Sequence, residues 1–213
     1  VLAVKGQELP MHEPRGKKGL GLSYAVSNRG ACHLQMIDHD DSFEMSQNMF
    51  PEAGFVKPAD RLDTSIDKVR IVKAAEDWKS MVDSLILCAV DSFPGGPTPE
   101  VIFGLVNAVT GWNMRPAELV KIGERAINLC RAFNAREGFT RKDDVLPKRL
   151  ADPLPDGQYK GQRISAEELQ SMLDNYYELR GWSKETGVPT AQKLRELDLA
   201  FTADQLKALG KLP

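Results

Sequence analysis

No run of about eighteen apolar residues occurs in the chain, so no segment has the length to span a bilayer as a helix. A basic start leading into an apolar stretch, the mark of a secretory signal, is also missing. Basic excess is lacking: 28 Lys and Arg stand against 30 Asp and Glu, a formal net charge of −2. That balance argues against bulk electrostatic capture of nucleic acid. Cysteine is scarce, with 3 in 213 residues (Cys32, Cys88, Cys130), which fits a reducing compartment, the cytoplasm, rather than a disulfide framework. Neither Cys-x-x-Cys nor His-Glu-x-x-His occurs, so these cysteines and His12, His33 and His39 make no self-contained zinc site. The chain opens on Val1 rather than Met, and it is expected to be a piece of something longer.

What is present is helical patterning in a chain that is 42% hydrophobic. The organising stretch runs from about Ile66 to Val90, with Ile66, Val69, Trp78, Met81, Val82, Leu85 and Ala89 recurring in steps of three and four. Near its end come Asp83 and Cys88, more than a turn apart, so they reach one large ligand only if the helix loosens there. The ordinary alternative is a buried helix with a cap-like Asp and a core Cys. Thr98-Pro99-Glu100 opens a short helix to about Val109, and Gly111 to Pro116 is a turn. A second long helix covers Pro116 to Arg136, with Leu119, Ile122, Ala126, Leu129, Cys130 and Phe133 expected inward, and Gly138 ends it. Ser165-Ala-Glu-Glu168 is a capping-box start for a helix to Arg180, and two short helices follow near 190–197 and 202–209.

Between these lie long irregular stretches, 36–64 and 139–164, rich in Pro and Asp. Gly16, Gly19, Gly21 and Gly30 crowd the segment before His33. Each glycine costs a helix about 1 kcal/mol relative to Ala, so they serve close packing or, beside Lys17 and Lys18, an anion. No repeat and no convincing strand set emerges. The chain is expected to be mostly α, a single irregular helical domain over 1–213 with long Pro-rich loops.

The segments Tyr24-Ala-Val-Ser-Asn-Arg-Gly-Ala-Cys-His33, Asp83-x-x-x-Leu87-Cys88 and Gly138-Phe-Thr-Arg-Lys-Asp-Asp-Val-Leu-Pro-Lys-Arg149 do not read as generic helix and loop. With Pro153-Leu-Pro-Asp-Gly157, Tyr176-Tyr-Glu-Leu-Arg-Gly-Trp182 and Pro189-Thr190, they resemble the C-terminal part of the tungsten-dependent aldehyde:ferredoxin oxidoreductases. The likeness covers nearly the whole chain in order. It implies an enzyme that oxidises aldehydes to carboxylic acids and passes electrons through a 4Fe-4S cluster to ferredoxin. The metal, tungsten or molybdenum, would be held by two pterins (a tungstopterin).

Carried over by position, the resemblance gives Asp83 a pterin ring to bind. It gives Leu87 a backbone contact, and it makes Cys88 a cluster ligand beside the pterin. It places His33 near the metal as a proton donor or acceptor. A hydrogen-bonded structural role remains the alternative for His33. Three departures stand out: Ile86 where the family usually has Gly, Gln35 where a basic residue is usual, and no Cys-x-x-Cys-x-x-x-Cys run to supply the other cluster ligands. The expectation is therefore a C-terminal fragment without cofactor or activity of its own. Its partners would be the N-terminal domains of the same chain, ferredoxin and an aldehyde, with a homodimer left open. The alternative, motivated by Ile86, is a helical interaction or scaffold subunit of the same fold without redox chemistry.

Overall fold

Lys5 and Gly6 take φ of +48° and +81°, the pair of left-handed residues that a two-residue hairpin needs. They join strand β1 (Ala3–Val4) to strand β2 (Gln7–Glu8), antiparallel with Val4 opposite Gln7. The computed structural model describes residues 1–34, 60–88 and 99–213, and this ribbon is the one sheet among the described residues. The other regular structure is helical, as the patterning predicts. It comprises α1 (Lys18–Val26), α2 (Ile66–Ser84), α3 (Pro99–Thr110), α4 (Pro116–Arg136), α5 (Ala166–Arg180), α6 (Ala191–Glu196) and α7 (Ala200–Ala208). No described helix is long and apolar enough to cross a membrane. Gln35, His39, most of the 36–64 stretch, Ala89 and Thr98 lie outside the described residues.

Helix α1 is buried on every side, which is why its sequence has no polar face. Gly21 within it and Gly16 just before it serve packing. A Cβ on Gly21 would sit 2.4 Å from Cδ1 of Ile164, and one on Gly16 would meet the Tyr159 ring at 2.6 Å. Lys18, weighed above as an anion ligand, instead pairs with Glu168 of α5 at 2.5 Å. Around α1 a core forms from Val69 and Val72 of α2 and from Met172, Leu173 and Tyr176 of α5. A second cluster joins Trp78, Met81 and Val82 of α2 to Ile102 and Phe103 of α3, with Trp78 and Phe103 edge to face at 5.9 Å.

Helix α5 begins as its capping box predicts. Ser165 Oγ accepts the Glu168 N–H at 3.2 Å, while the Glu168 carboxylate accepts the Ser165 N–H at 2.8 Å. Gly181 at φ +67° closes it. The buried face of α5 also carries charge. Arg180, without exposure, donates to Glu76 at 2.8 Å and to Asp77, while its Nε donates to the Tyr176 hydroxyl at 2.9 Å. A parallel network centres on Asp144, in an irregular stretch whose regular parts are 3-10 turns at Arg141–Asp143 and Lys148–Ala151. Arg131 of α4 grips it through two N–H groups at 2.9 and 2.6 Å, Lys5 of the hairpin reaches it at 2.7 Å, and the Tyr177 hydroxyl donates to it. The hairpin, α4, α5 and this stretch are thus tied at one buried carboxylate.

Candidate functional site

The apolar stripe of α2 anchors it through Trp78, Met81 and Val82, and the chain then leaves the core. Asp83 and Ser84 are exposed and Leu85 is half-buried. The helix ends at Ser84, short of the expected Val90. The N–H of Ile86 donates to Asp83 O at 3.0 Å and that of Leu87 to Val82 O at 3.2 Å, a reversal of the kind that terminates helices through a left-handed residue. That residue is Ile86, at φ +59° and 92% exposed. The loosening that Asp83 and Cys88 need for a shared ligand is therefore built into the backbone.

Asp83 projects from the last turn with its side chain 53% exposed, Oδ1 paired to the buried ammonium of Lys79. Leu87 and Cys88 follow the turn, both exposed. Beside Asp83 lies a groove of about 600 Å³, walled by Ser80 and Ser84 of α2, by Asn28 and Arg29 after α1, and by Leu129, Cys130, Phe133 and Asn134 of α4. Asn134 Nδ2 donates to Asn28 O at 2.6 Å and holds the walls together. The structure thus brings Asp83 to the groove. Leu87, Cys88 and His33 are not among its lining residues.

His33 does not end a helix. Helix α1 stops at Val26, and Gly30 at φ +92° turns the chain, packed so closely that a Cβ would lie 2.3 Å from Val4 O. His33 is half-buried and stacks on His12, ring centroids 4.5 Å apart. Cys32, also half-buried, accepts from Arg29 Nη2 at 2.9 Å.

Cys130 corrects the sequence reading. It is exposed with Leu129 and Phe133, while Asn128 and Arg131 point into the core. Polar side chains are satisfied inside: Trp182 Nε1 donates to Asn128 Oδ1 at 2.8 Å, and Arg131 holds Asp144. The groove residues Asn28, Asn134 and Cys130 went unnoticed as candidates. The available signal was that Ala126, Cys130, Phe133 and Asn134 share one face of α4.

Residues 1–199 match the family model described as aldehyde ferredoxin oxidoreductase, domains 2 and 3. The chain belongs to the aldehyde ferredoxin oxidoreductase family. It is 37% identical over 201 residues to the tungsten-containing aldehyde ferredoxin oxidoreductase of Pyrococcus furiosus, covering 93% of this chain and 31% of that protein. It is 35% identical over 201 residues to the enzyme of the same description from Thermococcus kodakarensis, again 93% of this chain and 31% of the other. The chain thus spans about a third of the length of these relatives. A more distant relative, an aliphatic sulfonate oxidoreductase, WOR-like subunit, of P. furiosus, is 32% identical over 62% of this chain and 22% of its own length. The solved active site complex BamBC of benzoyl coenzyme A reductase shares the fold, with a TM-score of 0.73 over 98% of this chain and 34% of that one at 23% identity.

Ile86 holds an unfavourable backbone conformation at the end of α2, with φ at +59°. A β-branched residue in the left-handed region is strained by roughly 1–2 kcal/mol, whereas glycine enters that region freely at some cost in unfolded-chain entropy. Ile86→Gly is therefore expected to raise the unfolding free energy by about 1 kcal/mol and Tm by roughly 2–4 °C, measured by urea and thermal unfolding. A destabilisation of that size instead would mean that the Ile86 side chain makes a contact that outweighs its backbone strain.

Proposed function

We propose that this chain is the C-terminal helical part of a tungstopterin, iron–sulfur oxidoreductase. The whole enzyme would oxidise aldehydes to carboxylic acids in the cytoplasm with ferredoxin as electron acceptor. The 213 residues would be inactive alone. The observation carrying this reading is the open end of α2, where a carboxylate and a thiol stand exposed on either side of a helix-terminating turn. The donor set fits. Asp83 engages Lys79 through Oδ1 and leaves the rest of a half-exposed carboxylate to accept paired N–H groups, as a pterin's pyrimidine edge presents them.

Cys88 offers one thiolate. Among the described residues no group of three or more His, Cys, Asp or Glu is placed to hold a metal ion. This sequence has no Cys-x-x-Cys-x-x-x-Cys run, so the further ligands of a 4Fe-4S cluster would come from outside it. When bound, tungstopterin and cluster supply the two-electron oxidation and its one-electron relay. The chain's share is positioning: Asp83 orients a ring edge, Leu87 lends its backbone, Cys88 binds the cluster, and His33 takes or gives a proton at its imidazole.

The test is metal analysis of the full-length protein. Cys88→Ala should reduce cluster iron and its spectroscopic signature to below about a tenth of wild type. Asp83→Asn should lower bound tungsten and pterin by roughly tenfold or more. The competing reading, a scaffold subunit of the same fold without redox chemistry, draws on the bulky Ile86 at the turn. Unchanged cofactor content and aldehyde oxidation in both variants would favour it and sink the first.

A further inference from the structure

Over its second half, helix α4 turns large apolar side chains to solvent while polar ones enter the core. Asn128 and Arg131 face the core with no exposure, whereas Leu129 and Phe133 are 41% and 53% exposed, with Cys130 open beside them. Ile122 and Ala126, half-buried, extend the same stripe toward the helix start. No charged side chain falls between Ile122 and Phe133 on this stripe, and at its far end the Arg136 guanidinium lies 4.5 Å over the Phe133 ring and leaves Leu129 and Cys130 uncovered. A helix meant to meet water on this side would carry polar residues there, whereas Leu129, Cys130 and Phe133 stand outward here, and Asn128 and Arg131 share the inner face with Ile127, Ala132 and Ala135. In the wall of the adjoining groove, Asn28 holds a buried Oδ1 without a hydrogen-bond partner, an acceptor that a donor on an incoming surface would satisfy.

We propose that this outward stripe of α4 seats a protein surface supplied by the same polypeptide, from the region that relatives carry beyond the matched length. That region is large, because the match takes up 31% of the P. furiosus relative. Size also argues for a tethered occupant over a second copy. From Ile122 to Phe133 a helix face about 17 Å long and 10–12 Å wide covers roughly 200 Å², well below the roughly 800 Å² per partner of a stable complex. A surface on the same chain needs no such area, because covalent linkage raises its effective concentration. The covering surface would be apolar at its centre, with polar groups at the rim beside Arg29 and Asn134. This inference rests on the reading of the chain as part of a longer enzyme and goes beyond the cofactor role given to Asp83.

Maleimide labelling of Cys130, read by peptide mass spectrometry, tests it in three samples at one mildly alkaline pH. These are the 213-residue chain, the full-length protein prepared without tungsten, and the loaded full-length protein. Burial pushes the Cys130 thiol up, so rates are compared only between samples. Labelling in both full-length forms should be at least about tenfold slower than in the 213-residue chain. Phe133→Glu in the full-length protein should restore the fast rate, while Leu105→Glu, on the exposed side of α3, should not.

Rates agreeing within about twofold across all samples would overturn the proposal. So would protection found only in the loaded form, which would assign the cover to the cofactor. Concentration-dependent protection of the 213-residue chain with dimerisation would overturn it in favour of a second copy. A failure of the cofactor reading looks different: tungsten content insensitive to Asp83→Asn, with Cys130 still protected.

Discussion

Asp144→Ala is expected to cost the chain about 3–5 kcal/mol, a loss of roughly 6–20 °C in Tm. The carboxylate has no solvent exposure and is the sole counter-charge drawn into contact with Arg131 and Lys5 among the described residues, both of which are buried with it. Alanine would leave two cations and the Tyr177 hydroxyl without their acceptor in a medium that cannot hydrate them. Replacing the whole group with apolar residues would cost far less, because the penalty lies in orphaning the partners rather than in losing the attraction.

The same carboxylate gives a pH dependence. Burial pushes Asp144 up, but the charges and hydrogen bonds of Arg131 and Lys5 outweigh that and hold its pKa below the usual carboxylate value. A folded pKa lower than the unfolded one means that the unfolded chain binds the proton more readily. The stabilisation is therefore fully present above about pH 4 and is lost as pH falls through the folded pKa. Urea titrations of wild type across the acid range should show that fall, and Asp144→Asn should flatten it. An Asp144→Ala variant losing less than about 1 kcal/mol would refute the central place given to this network.

That network marks where sequence reasoning stopped. The motif around Asp144 was legible as a resemblance, but nothing in Asp143-Asp144 says which carboxylate is buried or which arginine meets it. The helices were legible because their apolar residues recur at helical spacing, and α5 even announced its first turn through Ser165 and Glu168. Faces were harder. Along α4 two stripes compete, and spacing cannot tell that Asn128 and Arg131 find partners inside while Leu129 and Phe133 stay out. The end of α2 was misplaced for a similar reason: Leu85 and Ala89 continue the period, and no local rule anticipates isoleucine in a left-handed turn. Asp83 and Cys88 stood out as an acid and a thiol at the end of the α2 stripe, and family likeness gave them roles. The groove beside Asp83 is tertiary, made where α2, α4 and the segment after α1 converge.

Gly123→Ala is expected to destabilise the chain by about 3 kcal/mol, although alanine is the better helix former by roughly 1 kcal/mol. The two effects have opposite signs, so the measurement decides between them. Gly123 lies on the buried face of α4 against α2, where a Cβ would sit 1.8 Å from the Asp77 carbonyl oxygen and 2.8 Å from the Met81 nitrogen. Those atoms are backbone, so no side chain can rotate away, and relief requires the two long helices to separate. Separation would strain the ion pair of Asp77 with Arg180 and shift the last turns of α2, which carry Asp83, relative to Cys130 across the groove. Chemical denaturation should show the loss, and labelling of Cys130 in the 213-residue variant should change in rate with it. A variant as stable as wild type, or about 1 kcal/mol more so, would mean that α2 and α4 are not in backbone contact here. The close approach that positions the Asp83 groove would then have to be abandoned.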